Sequence, residues 1–157
     1  MKVILLVIGK TDATYLQEGI AEYQKRLKHY APFELKVIPD IKRKKNLTEY
    51  MQKKREAELI LHQLNNTAEV ILLDEKGKSF SSKDFSSYIE KKMVSGIKEL
   101  VFIIGGPYGF AKEVYDKAQQ KISLSRMTFS HQMARLVFME QLYRAFTILK
   151  GEPYHHD

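Results

Sequence analysis

The chain of 157 residues contains no cysteine. That absence removes disulfides, thiolate metal sites and cysteine nucleophiles together. Tryptophan is missing too, and 8 glycines with 4 prolines are too few for a collagen-like or linker-like composition. No apolar run approaches the roughly 18 residues that a membrane-spanning helix needs. The opening segment Met1 to Lys10 holds only a short apolar run, followed by polar Thr11-Asp12 and no small-residue cleavage site. It reads as a buried strand of a cytoplasmic protein rather than as a secretory leader. Against these absences stand 44% hydrophobic and 11% aromatic residues, well clear of disordered compositions. The length suits one domain spanning residues 1–157.

Lysine and arginine number 26 against 19 aspartate and glutamate, a net charge of +7. Such an excess suits a polyanionic partner such as nucleic acid. The cations gather in Lys42-Arg43-Lys44-Lys45 and Lys53-Lys54-Arg55. A solvated helix face and a phosphate-backbone contact both account for these clusters, and composition leaves the two readings level.

Apolar runs of strand type recur at Val3–Ile8, Phe33–Ile38, Val70–Leu73 and Leu100–Ile104, with a weaker one at Ile122–Leu124. Segments of helical periodicity lie near 12–29, 47–64, 83–95, 111–119 and 131–149. The alternation predicts an α/β fold, a mostly parallel sheet with helices on both faces, because parallel strands need crossover connections. Ser82 is the expected N-cap of the third helix, with Gly96 just past its end, and Ser130 caps the fifth. Pro153 is the expected stop after the last helix. That helix carries Met133, Leu136, Val137, Phe138, Met139, Leu142, Tyr143, Phe146, Ile148 and Leu149, more than one apolar stripe. Either a second copy of the chain covers the extra face, as in a homodimer, or the helix is deeply buried in its own subunit.

Ligands of doubly wound folds bind beyond the carboxyl ends of the strands, so the segments after each strand are the places to look. Leu73-Asp74-Glu75-Lys76-Gly77-Lys78 is a polar loop or a simple turn. Ile104-Gly105-Gly106-Pro107-Tyr108-Gly109 is glycine-rich, yet it has neither the G-x-G-x-x-G spacing nor a phosphate-loop lysine. It suits a ligand read by backbone groups, or a tight turn. In Ser123 to Arg135, hydroxyl residues alternate with apolar ones before His131 and Arg135, which share a helix face. The adjacent His155 and His156 lack a second cluster at metal-ligand spacing, so no metal site is expected. Pro153-Tyr154 is stiff and aromatic, of the kind that docks.

Five motifs in register carry a family resemblance: Leu73-Asp74-x-x-Gly77-Lys78, Ile104-Gly105-Gly106-Pro107-x-Gly109, Ser123-Leu124-Ser125-x-x-Thr128-x-x-His131, Glu140-x-x-Tyr143-Arg144-Ala145 and Pro153-Tyr154-His155. Over its whole length the chain resembles the ribosomal RNA large subunit methyltransferase H family. The resemblance implies a SPOUT-type fold whose C-terminal trefoil knot holds S-adenosylmethionine. It also implies a homodimer that methylates N3 of a pseudouridine in 23S ribosomal RNA within assembled ribosomes, with no membrane and no metal. By motif, the cofactor pocket is Leu73, Gly105 and the loop Leu124, Ser125, Arg126, Met127, Thr128 and Phe129. Tyr154, His155 and Arg144 complete the acceptor site. A histidine is the natural proton acceptor near neutrality and an arginine can stabilise the developing charge on the base, roles that fit His155 and Arg144. Two rivals remain from composition: a non-enzymatic basic module that binds RNA or a ribosomal surface, and a metabolic enzyme with a nucleotide cofactor. The missing phosphate-loop signatures count against the second.

Overall fold

The computed structural model describes residues 1–42 and 46–156. Arg43, Lys44 and Lys45 of the first basic cluster therefore lie outside the described residues. Strands and helices alternate as β1 (Lys2–Ile8), α1 (Thr14–Leu27), β2 (Phe33–Ile38), α2 (Glu49–His62), β3 (Glu69–Ser79), α3 (Ser82–Val94), β4 (Glu99–Ile104), α4 (Lys112–Lys117), β5 (Gln120–Ser123) and α5 (His131–Leu149). The strands form one sheet in the order β2-β1-β4-β3-β5, and every pairing within it is parallel.

The apolar runs are continuous because the central strands are covered on both faces. Val3, Leu5 and Val7 of β1 join Leu100, Phe102 and Ile104 of β4 under α1, α3 and α5. Ile4, Leu6 and Ile8 join Val101 and Ile103 under α2 and α4. α5 packs against both α1 and α3. Since β5 is the outer strand, residues 124–130 must run across the carboxyl ends of β3 and β4 to bring α5 there.

β3 does not stop at Leu73. Its register shifts between Leu73 and Lys78, after which Lys78 pairs with Ile122 and Ser79 with Ser123. Gly77 permits this: a Cβ there would stand 2.5 Å from the backbone nitrogen of Ile122. β5 correspondingly begins at Gln120 and ends at Ser123, earlier than the apolar residues alone suggest. Ser81, not Ser82, caps α3, its hydroxyl accepting from the Asp84 amide at 3.1 Å. The Ser82 hydroxyl instead donates to Gln141 at 2.8 Å and ties α3 to α5. Gly96 follows α3 with φ +79 and Ser130 caps α5, both as expected. α5 ends before Pro153 is reached, where Gly151 adopts φ +66.

α5 has no exposed residue between His131 and Leu149 even in the single subunit. Phe138, Met139, Leu142, Ala145 and Phe146 are fully buried in the core. Much of its all-round apolar character is thus satisfied within one chain. Met133, Val137 and Ile148, at helical spacing on the outward side, belong to neither core cluster.

Candidate active site

At the carboxyl ends of β3, β4 and β5 lies a cleft of about 620 Å³, within the range of small-molecule sites. Leu73, Gly105, Leu124, Ser125, Met127, Thr128 and Phe129 all line it. Arg126 is exposed and forms no part of the wall. The 124–129 loop is shaped by its own hydroxyls: Ser123 donates to the Ser125 carbonyl at 2.8 Å, and the Ser125 hydroxyl accepts from the Met127 amide at 2.9 Å. On the opposite wall the glycines hold the backbone close to its neighbours. A Cβ on Gly105 would meet the Phe110 ring at 3.0 Å, and Gly109 closes the turn with φ +77, its N–H donating to the Gly106 carbonyl at 3.1 Å. Asp74 is not free to act as a base. Its carboxylate accepts from the Tyr115 hydroxyl at 2.5 Å and from the Lys76 amide at 2.8 Å. Burial and this carboxylate push the Tyr115 phenol up to about 12.

The tail forms a second constellation. Arg144 donates to Glu140 Oε1 from Nη2 at 2.5 Å and from Nε at 3.1 Å. The Tyr154 hydroxyl donates to the same oxygen at 3.1 Å and lies 2.9 Å from the Tyr23 hydroxyl. The Arg144 guanidinium sits 4.7 Å from the centre of the Tyr154 ring. Tyr30, just past α1, donates to Glu152, and with Tyr23 of α1 it docks the tail against that helix as well as on α5. His155 Nδ1 lies 3.4 Å from Arg144 Nη1. A guanidinium can only donate, so Nδ1 accepts and the proton of a neutral His155 sits on Nε2.

Arg144, Tyr154 and His155 are thus brought together, but none lines the cleft. The cleft touches α5 at His131 and Ala134. Arg144 lies ten residues further along, about 15 Å at the rise of an α-helix.

A family model described as "Predicted SPOUT methyltransferase" matches residues 1–155. The chain belongs to the SPOUT methyltransferases. Proteins named ribosomal RNA large subunit methyltransferase H are similar to it end to end. The one from Parabacteroides distasonis is 62% identical over 157 residues, covering 100% of both chains. The one from Flavobacterium johnsoniae is 61% identical over 156 residues, covering 99% of each. Among solved structures, a probable methylase family protein from Haemophilus influenzae Rd KW20 shares the fold, with TM-score 0.53 and 13% identity over 99% of this chain and 70% of that one.

Two buried charged residues of this SPOUT domain escape sequence reasoning. Arg135 is 1% exposed. Its guanidinium donates to the carbonyls of Ile8 at 2.5 Å and Gly9 at 2.9 Å and to the Thr11 hydroxyl at 2.9 Å. Gln132 exchanges hydrogen bonds with Asp12 at 2.8 and 2.7 Å. Together they fix the first turn of α5, and with it His131 on the rim of the cleft. Burial, with Arg135 nearby, holds the His131 imidazole below its ordinary pKa. The pairing of His131 with Arg135 on one helix face is visible in the sequence; the burial of Arg135 is not, because nothing local marks a carbonyl-lined slot.

Glu56 of α2 is buried behind the glycine loop, and a Cβ on Gly106 would stand 2.8 Å from both of its carboxylate oxygens. Burial raises its pKa, the Asp40 carboxylate adds to this, and a bond from Gln52 at 3.1 Å opposes it. A carboxyl whose folded pKa exceeds its unfolded value stabilises the fold below the unfolded pKa and loses that contribution as pH rises through the folded one. Glu56→Gln should therefore raise the urea midpoint relative to the parent at pH 7, and the difference should close towards pH 4. A difference that is the same at both pH values would show that ionisation of Glu56 has no part in it.

Proposed function

We propose that this protein transfers a methyl group from S-adenosylmethionine to N3 of a pseudouridine in 23S ribosomal RNA, acting as a homodimer on assembled ribosomes in the cytoplasm. The observation that carries the reading is the cleft. It is walled by glycine backbone on one side and by the short-hydroxyl loop 124–129 on the other, and no G-x-G-x-x-G or lysine phosphate loop accompanies it. Those walls fit an amino-acid and nucleoside ligand held by backbone N–H and C=O groups rather than a nucleotide held by its phosphates. Leu73, Gly105 and the 124–129 loop would hold S-adenosylmethionine. Bound there, it supplies a methyl group already activated on a sulfonium, so the demand on the protein is to position an in-line nucleophile. The names of the relatives support ribosomal RNA as the molecule modified. The same reading gives the C-terminal part of the domain a trefoil knot that holds the cofactor.

Attack by N3 requires that its proton leave. His155 is the acceptor in this reading, and its Nδ1 must first release the Arg144 N–H, which frees Arg144 to stabilise the charge that develops on the base. The separation of about 15 Å along α5 is long for a reaction that needs contact distances, which supports a site shared between two subunits. A two-fold axis across α5 resolves this. It packs Met133, Val137 and Ile148 against their copies and lays the Arg144 end of one helix beside the His131 end of the other.

The test is calorimetric titration with S-adenosylmethionine, followed by transfer of labelled methyl groups to ribosomal particles and to free 23S ribosomal RNA. Saturable binding, and N3-methylpseudouridine formed in particles in preference to free RNA, are expected. Salt-sensitive RNA binding with no affinity for S-adenosylmethionine would overturn the reading in favour of a non-enzymatic RNA-binding module.

A further inference from the structure

Between α3 and the edge formed by β3 and β5 lies a second concavity, of about 540 Å³. Lys78 of β3, Lys91 of α3 and Lys121 of β5 contribute to its walls. All three are exposed, and none is ion-paired with any described residue. Elsewhere Lys2, Lys92 and Lys112 do pair, with Glu34, Glu69 and Asp116. The groove holds one carboxylate, Asp84, and that group already accepts from the Ser81 hydroxyl at 2.7 Å. Ser79, Ser87 and Gln120 complete the polar lining. The Lys78 ammonium lies 5.0 Å from the centre of the Phe80 ring within the groove, whereas that of Lys121 lies 5.5 Å from the Tyr115 ring, which lines the cleft. These ring contacts restrain two flexible cations without neutralising them.

The groove is not isolated from the cleft. It shares Phe80 and Ile122 with a smaller pocket, which in turn shares Ser123 and Leu124 with the cleft. Lys76 stands on the rim of the cleft itself. Cationic donors therefore stand at both sites, Lys78 and Lys91 at the groove and Lys76 at the cleft, with Lys121 of the edge strand between them.

We infer that the α3–β5 groove is a binding site for the phosphodiester backbone of the RNA substrate, where Lys78, Lys91 and Lys121 take phosphates flanking the nucleotide presented to the cleft. The inference rests on the proposed function for its ligand, but on the groove alone for its location. Phosphates rather than bases are the ligand because the Phe80 ring, the natural stacking platform, is already engaged by Lys78, Phe85 and Tyr88. Contacts of this kind position the RNA without reading its sequence.

The experiment compares the triple variant Lys78→Gln, Lys91→Gln, Lys121→Gln with a charge-matched control, Lys25→Gln, Lys28→Gln, Lys98→Gln, built from exposed lysines on other surfaces. Binding to ribosomal particles is measured across a salt series, and S-adenosylmethionine affinity is measured alongside. The groove variant should keep the parent affinity for S-adenosylmethionine, bind particles about tenfold or more weakly, and flatten the log–log salt slope by about two to three. The control should stay near the parent. If both variants weaken alike, only net charge matters and the groove is not a site. If the parent methylates particles while the groove variant binds them with parent affinity and slope, the groove fails and the reading of the cleft stands. A parent with no affinity for ribosomal particles overturns both.

Discussion

Removing the chain after Gly151 should cut methyl transfer by roughly 10² or more while leaving S-adenosylmethionine affinity unchanged. The truncation deletes His155 and Tyr154 and leaves every residue that lines the cleft in place. It also strips Arg144 of the Tyr154 ring above it and Glu140 of the Tyr154 hydroxyl, so the guanidinium loses both its lid and part of its frame. His155→Ala alone should reproduce most of the loss if the imidazole takes the N3 proton, and it should shift the pH–rate profile. Single-turnover assays on ribosomal particles decide the matter. Parent rates with an unshifted profile would remove His155 from the chemistry and reduce the tail to a steric part.

Mixing two inactive variants should restore activity. Gly105→Val drives a side chain into the Phe110 ring on the cleft wall, which the absent Cβ already approaches to 3.0 Å. Arg144→Ala leaves the cleft intact and empties the tail cluster. If the cleft of one subunit works with the tail of its partner, a heterodimer of these two variants holds one complete site and one doubly broken site. After unfolding and refolding of an equal mixture, about half the dimers are mixed by random pairing, and each carries one of its two sites intact. Activity near a quarter of the parent value, from two preparations that are each inactive, is then expected. No recovery, with mixed dimers demonstrated by mass spectrometry, would place cleft and tail in the same subunit. Val137→Asp supplies the companion result, because an unpaired charge at the α5 seam should yield monomers that bind S-adenosylmethionine but do not transfer.

The strands buried on both faces were the most legible part of the chain, since Val3–Ile8 and Leu100–Ile104 cannot be amphipathic when helices cover each side. The extension of β3 was not legible. Asp74 to Ser79 is polar, and its strand geometry depends on a glycine that lets one backbone lie against another. Helix ends turned on similar local choices: Ser81 and Ser82 are equally good caps by type, and only the packing of α3 on α5 assigns Ser82 to Gln141. The glycine loop could be read as a backbone-lined wall from its composition, while the cleft's opposite wall came with the family motifs. The spacing of Arg144 along α5 was in the sequence, but that the cleft meets α5 only at His131 and Ala134 was not. Glu56 and Arg135 look like ordinary helix-surface charges until the neighbouring elements close over them.

The way α5 is fastened has a consequence for synthesis and folding. Its first turn is held by Gly9 and Asp12, at sequence separations of 126 and 120 residues. Its trailing segment is held by Tyr23 and Tyr30, at separations of 131 and 122. Residues of β1 and α1 are thus completed by residues more than a hundred positions later. β1 and α1 keep an apolar side uncovered until α5 docks, and closure of these long loops places the domain among slow-folding, high-contact-order topologies.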